Sequence, residues 1–227
     1  MNEREVSRKG VPIMDVSYYL ILAVLLINVP MIGTYLKLLN TMVHELFHVL
    51  AATFTGGKGY QIKLYADTTG QAKIRSSSWV SGVVVSYAGY TGSSLMALLL
   101  FFLLDEGYYT PIIVLFFVIS ITSVLFWVRN IFGFLWMTSF IGVLWIMLKY
   151  QLDPMMQHLS YLFASIILVE SMISAFHIML LSFRYPQQAG DATSLQQSTK
   201  LPAVVWGSVF FVQSGYIGYK ILQSYLF

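Results

Sequence analysis

Residues 41–55 read TMVHELFHVLAATFT, and the five at their centre, His44-Glu45-Leu46-Phe47-His48, follow the pattern H-E-x-x-H. Positions four apart share a helix face, so on a helix both imidazoles reach one metal ion. Glu45 follows the first histidine directly, which sets a carboxylate beside that ion as a general base for water. The flanking Met42, Val43, Leu46, Phe47, Val49 and Leu50 are apolar on every side. The helix is therefore read as buried in protein or lipid, where three ionisable groups are costly unless paired or metallated. The alternative is a hydrogen-bonded pair of core histidines, but it leaves a carboxylate in hydrocarbon unexplained.

Composition sets the environment. The 227 residues are 57% hydrophobic and 10% charged, with a mean hydropathy of +0.71. A soluble domain carries about 25% charged residues, and runs of about 20 apolar residues recur here. The chain thus reads as an integral membrane protein with the lipid bilayer as its main partner. With no cysteine there is no disulfide, no thiolate zinc site and no cysteine nucleophile. A net charge of +3 on scattered basic residues leaves no nucleic-acid footprint. The first apolar run is too long for a signal peptide and lacks a small-residue cleavage site, so a retained span is expected.

Apolar runs fall at residues 16–31, about 35–54, 79–104, 110–128, 131–148, about 158–183 and 202–227. They predict an all-α polytopic membrane protein of about seven transmembrane helices, forming one domain over residues 1–227. Pro30 and Gly33 bend or end the first run, and Gly56-Gly57 stops the second. Then comes GYQIKLYADTTGQAKIR, residues 59–75, alternating over 60–65, turn-like over 66–70 and alternating again. That pattern predicts a short membrane-associated β-hairpin, with a solvated loop as the alternative. Gly82, Ala88, Gly89, Gly92, Ser93 and Ser94 form a small-residue stripe suited to close helix packing. Residues 149–157 read as a loop and 184–200 as a polar segment.

With the N-terminus in the cytoplasm, the inner side receives Arg4, Arg8, Lys9, Lys58, Lys63, Lys73, Arg75, Arg129, Arg184 and Lys200. The outer side receives only Lys37, Lys149 and Lys220, so the positive-inside rule favours this orientation. The motif helix and its hairpin then open toward the cytoplasm.

HELFHVLAATFTGGKGYQIKLYADTTGQAKI resembles the site-2 protease group of intramembrane zinc metalloproteases, in its small bacterial and plant branch. The similarity continues in SYAGYTGSSLMALLL (86–100), in Arg129-Asn130-Ile131-Phe132-Gly133, and from Asp191-Ala192 through Leu195 to Trp206. It implies a Zn2+ cofactor held by His44 and His48, Glu45 as the base, a transmembrane protein substrate, and a bacterial cytoplasmic membrane. Two departures stand out: Phe47 replaces the usual glycine, and the N-x-x-P and D-G pattern of distant members is missing.

The third ligand stays open between His177, which is preferred, and Asp191, with Glu170 behind them. His177 lies in SAFHIMLL near the inner end of the sixth run, where an unpaired imidazole is costly. Gly190-Asp191-Ala192-Thr193 instead reads as an N-cap opening a short surface helix, unless a re-entrant loop carries Asp191 inward. The hairpin either holds an extended substrate by β-augmentation or plugs the site. The competing functions are a catalytically silent scaffold and a transporter, the latter because Glu170 and His177 share one apolar run.

Overall fold

A computed structural model describes residues 16–226; Arg4, Arg8 and Lys9 of the basic count lie outside them. The first helix, α1 (Val16–Ile27), stops at Pro30, and α2 (Ile32–Phe54) leaves it at 110°. Met31 takes a positive φ of 65° in the break. A side chain at Gly33 would collide with the Ile27 carbonyl, so glycine is required where the chain doubles back. At the other end of α2, Gly56 takes φ +78° and the Gly57 N–H bonds the Ala52 carbonyl at 2.7 Å, closing the helix where Gly-Gly predicts it.

The predicted hairpin is present. Strands β1 (Lys58–Leu64) and β2 (Gly70–Arg75) pair antiparallel, Ile62 facing Ala72 and Leu64 facing Gly70. The pair folds back along α2. Gly59 lies against Val49, Gly70 lies against Glu45 and Thr41, and the Thr41 hydroxyl donates to the Thr68 carbonyl at 2.8 Å. At 1.5 Å per residue the hairpin tip therefore reaches about 20 Å along α2 from its C-terminal end.

The remaining helices are α3 (Trp79–Asp105), α4 (Tyr109–Phe126), α5 (Ile131–Lys149), α6 (Asp153–Arg184), α7 (Gly190–Thr199) and α8 (Ala203–Leu226). The α3 stripe lets that helix lie close on α2. Gly92 leaves the space filled by the Phe47 ring, so the bulky residue at position 47 is accommodated by a glycine opposite. Helix α6 starts earlier than expected, because Asp153-Pro154 supplies an acidic residue and a proline to the first turn and absorbs most of the expected 149–157 loop. Trp136 is buried and donates its indole N–H to the Tyr35 carbonyl at 3.1 Å.

Helices α3, α4, α5 and α6 are each long and apolar enough to cross a membrane, and the bent pair α1/α2 makes a fifth if counted as one span. Seven spans are not confirmed among the described residues. The first two apolar runs form that bent pair, and α8 (24 residues) is diluted by Gln213, Lys220 and Gln223. Outward faces such as Leu95, Leu98, Leu99 and Phe102 of α3 expose hydrocarbon, as lipid contact requires. The chain fits an integral membrane protein.

Candidate metal centre

Helix α2 turns His44 and His48 to one side, and their Nε2 atoms stand 3.0 Å apart. His48 Nδ1–H donates to the Val85 carbonyl of α3 at 2.7 Å, which leaves the Nε2 lone pair of that ring free to ligate. The third member is Asp191, on the first turn of α7. Its Oδ2 lies 3.2 Å from each Nε2. That oxygen is buried and has no hydrogen-bond partner among the described residues.

Three unshared donors at 3.0–3.2 Å from one another fit a tetrahedral ion. Ligands about 2.0–2.1 Å from zinc stand about 3.3 Å apart, and nitrogen and carboxylate donors suit that ion. The same group is the one set of three potential metal-ligating residues found among the described residues.

His177 does not join them. It lies on α6 at an exposed position in the wall of the same cavity. Glu170 is buried on α6, with one oxygen unpartnered, and stays out of the cluster. The geometry thus brings Asp191 to the imidazoles in place of the preferred His177. Asp191 also does not cap its helix: α7 has Ala189 at the N-cap and no side-chain cap bond. Its carboxylate turns inward because α7 is pinned to its neighbours. The Trp79 indole donates to the Ser198 carbonyl at 2.8 Å, and the Trp206 indole donates to the Thr199 hydroxyl at 3.0 Å.

Glu45 is 6% exposed and lines the cavity beside the cluster, its carboxylate against Gly70 of β2. The cavity, about 770 Å³, is further lined by Asn40, Tyr90, Ser174 and β2 residues Gly70, Gln71, Ala72 and Ile74. Tyr90 sets its ring edge-on to His44, with centroids 4.6 Å apart.

The hairpin presents one edge only. On the outer side of β1 the Ile62 N–H bonds the Trp127 carbonyl at 2.7 Å and the Ile62 carbonyl accepts from Arg129 N–H at 3.2 Å. The Asn130 carboxamide completes that edge, accepting from Leu64 N–H at 3.2 Å and donating to the Leu64 carbonyl at 2.6 Å. Ile62 and Leu64 thus spend their backbone groups away from β2. Their partners Ala72 and Gly70 point theirs the other way, to the edge of β2 that no strand covers among the described residues and where the Ala72 N–H meets the Glu45 carboxylate. Asn130 matched the family pattern only in part, and the sequence alone carries no sign of this clamping role.

Gly89 of α3 supplies the closest backing. A Cβ there would lie 2.5 Å from His44 Cε1 and 2.6 Å from both Nε2 atoms. Gly89→Ala should therefore displace the rings and weaken metal affinity by about 10–100-fold, read by competition with a zinc chelator. Unchanged affinity would show that the imidazoles have room to spare.

A family model described as Peptidase M50B-like matches residues 16–220. Neither the curated proteins nor the solved structures yielded a match.

Proposed function

Because this chain belongs to the Peptidase M50B-like family, we propose that it is an intramembrane zinc metalloprotease cleaving a peptide bond of a transmembrane protein within or near the bilayer. The observation that carries this is the convergence of His44 and His48 on α2 with Asp191 on α7, their ligand atoms 3.0–3.2 Å apart, with Glu45 beside them in the same cavity. His44 Nε2, His48 Nε2 and Asp191 Oδ2 are the proposed ligands.

When bound, zinc supplies a Lewis acid and lowers the pKa of its water to about 7. The chain's own residues do the rest. Val85 fixes the His48 tautomer through Nδ1. The Glu45 carboxylate takes the proton of the attacking water and returns it to the leaving amine nitrogen. The outward backbone groups of Gly70 and the Ala72 carbonyl hold the substrate as an added strand, which keeps it unwound at the bond to be cut. Unwinding is required because a helical amide is shielded and already hydrogen-bonded. Asn130 and the 127–129 segment cover β1, so the added strand has only the cavity side available. Cells carrying the wild type should release a membrane-derived peptide that cells carrying Glu45→Gln do not, and identical peptide profiles would remove the peptidase reading.

Around the four spans α3–α6, Lys58, Lys63, Lys73, Arg75, Arg129, Arg184 and Lys200 fall on one side and Lys149 on the other, which favours a cytoplasmic α6–α7 connection and an external Asp105-Glu106 turn. The chain has no cysteine, so single replacements report cleanly. Gln187→Cys should react with a membrane-impermeant maleimide only in opened cells, and Glu106→Cys in intact ones. The reverse labelling would invert the side from which substrates are cut.

A further inference from the structure

Asn40 lies one turn before His44 on the same face of α2 and lines the cavity, yet the mechanism above gives it nothing to do. It is 5% exposed, and its Oδ1 is buried with no hydrogen-bond donor among the described residues. The Thr41 hydroxyl is committed to Thr68, and His48 Nδ1 to Val85. An amide left unpaired in such a place costs stability that an apolar residue would not. A cavity-lining position explains it when the partner arrives with the substrate.

We infer that the Asn40 carboxamide binds a main-chain peptide group of the substrate and positions the unwound strand between itself and the free edge of β2. A carboxamide matches a peptide group on both sides, since Nδ2–H donates to a carbonyl and Oδ1 accepts from an N–H. Four residues of helix rise about 6 Å, and an extended chain advances about 3.3 Å per residue. The peptide group held by Asn40 is therefore about two residues from the bond at the metal, on the side of the hairpin tip. Gly70, at the start of β2, lies against Thr41 and Glu45 and so faces the same stretch of substrate. Such a contact recognises backbone and not side chain, so it selects for an unwound segment without choosing a sequence.

The inference rests on the peptidase reading, and its test separates the two. Asn40→Leu is close in volume and removes only the polar edge. The full-length zinc-loaded protein in detergent micelles would be given a short apolar quenched-fluorescent peptide, which needs no unwinding. The kcat/KM should fall about 10–100-fold, carried mainly by KM, because the contact is made in both ground and transition states. Bound zinc should stay equal to wild type, and Tm should hold or rise, since an unpaired buried amide has been replaced by hydrocarbon. An unchanged kcat/KM overturns the inference, and so does a fall in Tm, which would make Asn40 a packing residue. The same substitution on a Glu45→Gln background, read by fluorescence anisotropy of the peptide, should weaken Kd about tenfold. Loss of that effect counts against Asn40. A wild type that binds the peptide but never cuts it counts against the peptidase reading alone.

Discussion

Glu45→Gln is expected to leave the protein folded and fully loaded with zinc while lowering peptide cleavage by about 10²–10⁴-fold, the usual contribution of a positioned general base. Glutamine keeps the length and hydrogen-bonding capacity of the side chain, so its packing against Gly70 is preserved. It removes only the group that accepts a proton. Glu45 is not among the three ligand residues, so metal content should not change. The expected signature is thus a split: zinc and Tm at wild-type values, and turnover collapsed. Purified variant and wild type compared on the same fluorogenic peptide would read it. Turnover near the wild-type level would take the base assignment away from Glu45. Loss of zinc together with activity would mean that Glu45 shapes the metal group and not the proton path.

Much of this arrangement is legible in the chain because it is local. H-E-x-x-H sets its own helical spacing, Gly-Gly ends the helix, and alternation with a turn at 66–70 marks the hairpin. Glycines suited to close packing were visible as a stripe. Their individual tasks depend on what lies opposite: Gly89 backs the imidazoles and Gly92 receives Phe47. Asp191 was harder to place because its local reading is sound. G-D-A-T does open a short helix, but the cap bond is not made, and tertiary packing of α7 on α3 and α8 turns the carboxylate inward. His177 drew attention as a costly polar group in an apolar run. The folded helix answers that cost by placing it at an exposed position on the cavity wall. The count of about seven spans is not confirmed, for a related reason. An apolar run does not say whether it crosses alone, and Pro30 with Gly33 turns two runs into one bent pair. The clamping role of Asn130 is not legible, since its partner Leu64 lies 66 residues away in sequence.

Zinc per chain in purified wild type, Asp191→Ala and His177→Ala tests the centre most directly. Removing a carboxylate ligand leaves two imidazoles on one helix, too few for a structural or catalytic zinc, which takes at least three protein ligands. Asp191→Ala should therefore lose nearly all its metal and all detectable cleavage. His177→Ala removes a group at an exposed position on the cavity wall and should keep one zinc per chain. Metal content measured by plasma mass spectrometry against protein concentration should then read about one, near zero and about one. Full zinc in Asp191→Ala together with loss in His177→Ala would contradict the assignment of the centre, and wild-type protein free of zinc yet active in cleavage would contradict the metal account altogether.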